Sequence, residues 1–168
     1  MTPLQLMKDL KKFIEKKTGH IMLYSKVTPE GEEKKSRSAK VYLMTLPTKE
    51  TEEKQLVPYI LLQLLTGKDD QKPGEKPKAS CKIRIVVTTY AKDDNEGVFD
   101  VINLITTLRI ELEKAGTIGK KYNLLMPLEY LIYDIDLSPF YGGEMMTNWS
   151  LPPIEATHET EVYSWLNG

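Results

Sequence analysis

The sequence predicts an α+β fold, a single domain in which an antiparallel-rich sheet carries helices packed on one face. Three observations predict it. Apolar residues recur at helical spacing in two segments, Leu6 to Ile14 and Val98 to Leu112; strict two-residue alternation marks Cys81 to Tyr90; and the strand-like segments cluster instead of alternating with helices, which separates this chain from parallel α/β folds. The chain has 168 residues, enough to bury roughly 70% of the surface its unfolded form exposes.

The first helix begins at Thr2, where a capping residue, the first-turn proline Pro3 and the capping-box partner Gln5 stand in order. Leu6, Met7, Leu10, Phe13 and Ile14 form its apolar stripe, Lys8, Lys11, Lys12, Lys16 and Lys17 its wet face, and Gly19 its stop. Residues 28–40 are rich in Pro, Gly, Ser and charge and read as a solvated loop. A short strand over Val41–Leu46 ends at Pro47, and Thr48–Gln55 is again a charged loop. Tyr59–Leu65 is apolar at successive positions between Pro58 and Gly67, which predicts a strand covered on both faces. Lys68–Lys78 reads as an exposed, flexible connection.

Along Cys81–Tyr90, Ile83, Ile85, Val87 and Thr89 share one face and Lys82, Arg84, Val86, Thr88 and Tyr90 the other. After the acidic turn Asp93–Gly97, Val98, Val101, Ile102, Ile105, Leu108 and Leu112 describe a helix of roughly five turns that Gly116 closes. Leu124–Ile135 and Gly143–Leu151 then read as an antiparallel pair joined through Ser138, Pro139, Gly142 and Gly143. Residues 156–168 form an acidic C-terminal tail in which Val162, Tyr163, Trp165 and Leu166 follow the glutamates, either a disordered terminus or an arm that docks on a neighbouring copy.

Charge and composition narrow the function. A formal net charge of -1 and a pI near 6.2 provide no basic field for phosphates or anionic membranes. The apolar run at Tyr59–Leu65 is far below the roughly 20 residues of a membrane helix, and Met1–Phe13 lacks the pattern of a signal peptide, so a soluble, cytosolic product is expected. Cys81 is the single cysteine, which excludes an internal disulfide and reads as a packed thiol.

The search for chemistry is mostly negative. Asp134 and Asp136 share a strand face, and with Asp93 they could hold a divalent metal in a small nuclease; the bland reading is a solvated strand end for the first two and a helix cap for Asp93 and Asp94. His20 and His158 stand alone, and neither a nucleophile elbow nor a phosphate-binding glycine loop is present. No catalytic, metal or cofactor residue is therefore assigned. The large apolar groups around the double glycine, Phe140, Tyr141, Met145 and Trp149 with Met146, instead suggest an oligomer interface, against ordinary packing at a sheet edge.

Three blocks taken together resemble the tail terminator, or tail completion, proteins of bacteriophages with long non-contractile tails and of prophages. They are Val57–Asp70, VPYILLQLLTGKDD; the strand, acidic loop and helix of Ile83–Glu113, with GVFDVINLITTLRIELE; and Pro127–Glu155, PLEYLIYDIDLSPFYGGEMMTNWSLPPIE. The resemblance implies a structural virion assembly protein and no enzyme. It implies a homo-oligomeric, hexameric ring on the head-proximal end of the tail tube that stops tube polymerisation and meets the head-tail connector protein. Its place would be the virion tail, assembled in the host cytoplasm, with DNA passing the pore without sequence-specific readout. Thr48–Gln55 and the acidic C-terminus depart from the family pattern. Two other classes stay open on the residues alone: the metal-dependent nuclease, and a monomeric protein-binding module that pairs through Tyr59–Leu65.

Overall fold

The computed structural model describes residues 2–25, 35–47, 56–134 and 137–154. Helix α1 spans Pro3–Thr18, and the Thr2 hydroxyl accepts from Gln5 N at 3.4 Å as the sequence predicts. Leu6, Met7, Leu10, Ile14 and Thr18 face the core. Phe13 sits at the margin of the stripe, under the Lys17 ammonium at 5.6 Å. Two short strands follow, β1 (Leu23–Tyr24) and β2 (Lys35–Arg37), paired antiparallel. The expected loop at 28–40 therefore contains a strand, held by Arg37, whose guanidinium donates to Leu56 O at 2.8 Å and Val57 O at 2.7 Å. A charged side chain that satisfies two backbone carbonyls does here what apolar patterning does elsewhere. The expected loop at 48–55 and the tail at 156–168 lie outside the described residues.

The main sheet has six strands in the order β3-β4-β5-β8-β7-β6: β3 (Lys40–Leu43), β4 (Tyr59–Asp70), β5 (Lys78–Tyr90), β6 (Thr117–Ile118), β7 (Tyr122–Ile132) and β8 (Phe140–Leu151). Only β3 and β4 run parallel; the other neighbours are antiparallel. Helix α2 spans Asp94–Ala115. The fold is α+β, and both helices join the same buried cluster as the inward residues of β4, β5 and β8.

Three expectations change. β4 does not stop at Gly67 but runs to Asp70, opposite Lys78, so the connection shortens to 71–77 within a long hairpin. Nor is β4 covered on both faces. Ile60 and Leu62 are fully buried, whereas Tyr59, Leu61 and Gln63 on the other face are half-buried and Leu65, at a bulge, is 45% exposed. In α2, Leu104 takes the core place expected of Ile102, which is 42% exposed, while Val101, Ile105, Leu108 and Leu112 are buried as the period requires.

The ends of α2 follow from their residues. Asp93 is the N-cap, accepting from Asn95 N at 2.9 Å and Glu96 N at 3.1 Å. Gly116 adopts the left-handed φ of 61° and returns its N–H to Leu112 O, the usual solution for the last helical carbonyls.

Candidate assembly surface

Strand β8 lies in the middle of the sheet and alternates strictly between its faces. Met145 and Trp149 point into the core at zero exposure, and Trp149 Nε1 donates to Thr147 Oγ1 at 2.8 Å inside it. These two side chains thus have no surface to offer a partner, which corrects half of the expected interface; the pleat sends them to the face the helices cover. Phe140 and Tyr141 remain half-buried at the start of β8, where Phe140 packs on Tyr90 with ring centroids 5.7 Å apart. With Val57, Tyr59 and Tyr133 they border an open groove of about 590 Å³.

The face of the sheet away from the helices carries a polar cluster. Arg84 Nε donates to Glu144 Oε2 at 2.6 Å across the β5–β8 pair, Tyr133 OH donates to the same oxygen at 2.7 Å, and Arg84 Nη2 donates to the tyrosine oxygen at 3.1 Å. Burial pushes the Glu144 carboxyl up, but the hydrogen bonds from Tyr133 and Arg84 outweigh it and hold the group below its ordinary value. The Tyr133 phenol is pushed up, first by burial and then by its bond to Glu144. The cluster is an ion pair with a phenol on its flank, and Arg84 Nη1 also reaches Gln63 Oε1 at 3.5 Å.

The two sides of the sheet are less complete. β3 covers β4 only along Tyr59–Leu62, after which the Met44 sulfur lies 3.3 Å from Leu64 N. β6 covers β7 only at Tyr122 and Asn123, and Gly116 O accepts from Leu124 N. Among the described residues, no strand pairs with Leu65–Asp70 on the outer side of β4 or with Leu125–Ile132 on the outer side of β7. The β7 edge is also apolar: Leu125, Met126, Tyr130 and Leu131 are 38%, 65%, 50% and 48% exposed. Arg109 of α2 lies over the Tyr130 ring at 5.7 Å, and Ile102, two turns earlier on the same helix face, is exposed, as is Phe99.

The sequence carries a signal for this edge that strand patterning alone does not show. Pro127 sits inside an otherwise strand-like run, and a proline there indicates an edge or a bulge. The register of β7 does shift between Leu125 and Glu129.

The acidic candidates do not converge. Asp93 is committed to its helix cap, Asp134 is exposed, and Asp136 lies outside the described residues. Among the described residues no group of three or more His, Cys, Asp or Glu is placed to hold a metal ion, and no helix is long and apolar enough to cross a membrane. His20 is exposed and His158 lies outside the described residues. Cys81 is buried, and burial pushes its thiol up to about 11.

No protein-family description matches the chain, and no curated protein matches it. Among solved structures, a chain from the virion of a native gene transfer agent particle superposes with a TM-score of 0.34 at 12% identity, covering 66% of this chain and 77% of that one.

Proposed function

We propose that this chain is a structural subunit of a phage virion, and more specifically a tail terminator that forms a ring on the head-proximal end of a tail tube, ends tube growth and contributes to the head-tail joint. The observation that carries the reading is the apolar β7 edge, which no strand covers among the described residues, in a sheet whose other side is likewise incomplete among them. An exposed row of Leu125, Met126, Tyr130 and Leu131 along a sheet edge is an aggregation hazard in a monomer and an asset in a subunit. The order of the three sequence blocks that resemble tail terminators gives that association its context. In this reading Phe140 and Tyr141, at the groove beside Tyr59, contribute to contacts with the ring's neighbours, whether another copy, the tube protein or the connector.

A ring on a tube must present one patch repeatedly about the tube axis, and a heterologous interface that closes on itself does so. Free subunits can remain monomeric while the tube acts as template. The test is therefore made with tail tubes from the phage or prophage that carries the chain, incubated with and without the purified protein and imaged by negative stain. Density at one end of the tubes, with arrested elongation, is the expected result. Tubes without end-bound density that lengthen as they do without the protein would overturn the reading.

A further inference from the structure

We propose that neighbouring copies join edge to edge, the outer side of β7 on one copy pairing antiparallel with the outer side of β4 on the next, with Glu129 opposite Lys68. This inference rests on the ring reading above and names the contact that would build it. It starts from strand direction. β4 and β8 run one way and β5 and β7 the other, so a sheet continued from the β7 edge of one copy into the β4 edge of the next meets it antiparallel.

The pleat then limits the register. Glu129 pairs with Met146 and Leu131 with Glu144, on the face away from the helices. Thr66 pairs with Lys82 and Lys68 with Ser80, on that same face. Residues that face each other across a new pair must share a face, which leaves registers that differ by two residues.

Chemistry selects among them. With Glu129 opposite Lys68, a carboxylate meets an ammonium, Leu131 meets Thr66, and on the opposite face Tyr130 covers Gly67, a strand glycine with no side chain of its own to pack. Shifting by two residues in one direction sets Glu129 opposite Asp70, a like-charge pair. Shifting in the other sets Glu129 opposite Thr66 and brings Leu131 against the Leu64–Thr66 bulge. The ladder ends at Leu128 opposite Asp69, beyond which the register of β7 shifts between Leu125 and Glu129. Both charged groups are exposed: Glu129 lies on the outer edge, and the Lys68 side chain is 72% exposed, its ion pair among the described residues being a solvated one with Asp70 of its own strand.

Because the free stretch of β4 begins where β3 ends and that of β7 begins where β6 ends, the pairing slides each copy along the strand direction relative to its neighbour. A sheet with such a stagger can close on itself.

The experiment uses charge reversal and cross-linking on the full chain. Lys68→Glu and Glu129→Lys should each weaken tube capping by about tenfold or more, and the double variant should restore it. Lys68→Cys with Glu129→Cys in one chain should give a ladder of covalent oligomers on mild oxidation, in the free protein at high concentration and on tubes, while either single variant gives none. Restoration and the two-cysteine ladder are the supporting results. Without a ladder in either setting, and with single reversals that cap normally, the edge pairing is overturned even if rings still form. Wild type that binds no tube end overturns the ring reading whatever the ladder shows.

Discussion

Gly97 and Tyr141 are in direct contact: a β-carbon on Gly97 would stand 2.0 Å from Tyr141 Cδ2. The first turn of α2 is thereby pressed onto the start of β8, and Thr89 Oγ1 donates to Gly97 O at 3.1 Å from below. The Tyr141 hydroxyl bonds to the Asp94 carboxylate at the same helix end. The residue expected to anchor an interface thus also fixes where α2 sits on the sheet.

Gly97→Ala should therefore destabilise the protein by about 1–3 kcal/mol, even though alanine favours the helix by about 1 kcal/mol over glycine. The check is a double-mutant cycle in denaturant. If the ring is the obstacle, Gly97→Ala in a Tyr141→Ala background loses most of its cost. A penalty that is the same in both backgrounds would show that something other than the ring opposes the methyl group.

The face of α2 can be read from stability in the same way. Leu104→Ala and Ile105→Ala should each cost about 2–5 kcal/mol, whereas Ile102→Ala should change stability by no more than about 0.5 kcal/mol. Leu104 and Ile105 have exposures of 0% and 1%, against 42% for Ile102. Arg109→Ala should stay within roughly 1 kcal/mol, since its contacts with Tyr130 are at the surface.

Glu144 predicts the direction of an acid effect. Its folded-state value lies below the ordinary one, so its contribution to stability is fully present above the ordinary glutamate range and is lost as pH falls through the depressed folded-state value. Glu144→Gln should lower stability at neutral pH and flatten the loss of stability below the ordinary glutamate range. Urea midpoints measured across the acid range decide it; an acid limb as steep in the variant as in wild type would assign that limb to other carboxylates.

Cys81 gives a chemical test of burial. With 4% exposure and a thiol pushed up to about 11, it should react slowly with a thiol reagent at mildly alkaline pH and rapidly once the protein is unfolded. Fast reaction in the folded state would mean that the Thr66–Lys82 side of the sheet opens.

Periodicity carried most of the architecture because α2, β5 and β8 are long enough for 3.6- and 2-residue patterns to stand out. The helix caps were legible because Thr2 of α1 and Asp93 and Gly116 of α2 act locally. β2 was not legible: Arg37 holds it through carbonyls of Leu56 and Val57, contacts about 20 positions away that leave no local pattern. Ile102 and Leu104 changed roles because an amphipathic stripe fixes a face only to within one neighbouring position. The interface reading failed at Trp149 and Met145 because size and proximity to a glycine loop say nothing of pleat, and on a central strand the pleat decides. Conversely, nothing in the Leu124–Ile135 strand pattern marks Met126 and Leu131 as edge residues, because that depends on how short β6 is.

That contrast between Trp149 and the β7 edge supplies the last prediction. Trp149→Ala should cost about 3–5 kcal/mol, because it empties the centre of the core and leaves the Thr147 hydroxyl without its donor. Any loss of tube capping in that variant would follow the loss of folded protein and carry no information about an interface. Met126→Ser with Leu131→Ser should behave in the opposite way, keeping the melting temperature within a few degrees because both side chains are already largely in water. If the β7 edge is buried between subunits, that variant should lose capping while its fold is intact, since each exposed side chain would otherwise gain apolar contact on assembly. The measurement pairs a thermal melt with end-bound density on tail tubes for each variant. A folded serine variant that caps like wild type would remove the β7 edge from the assembly surface and leave the Phe140–Tyr141 groove as the place to look.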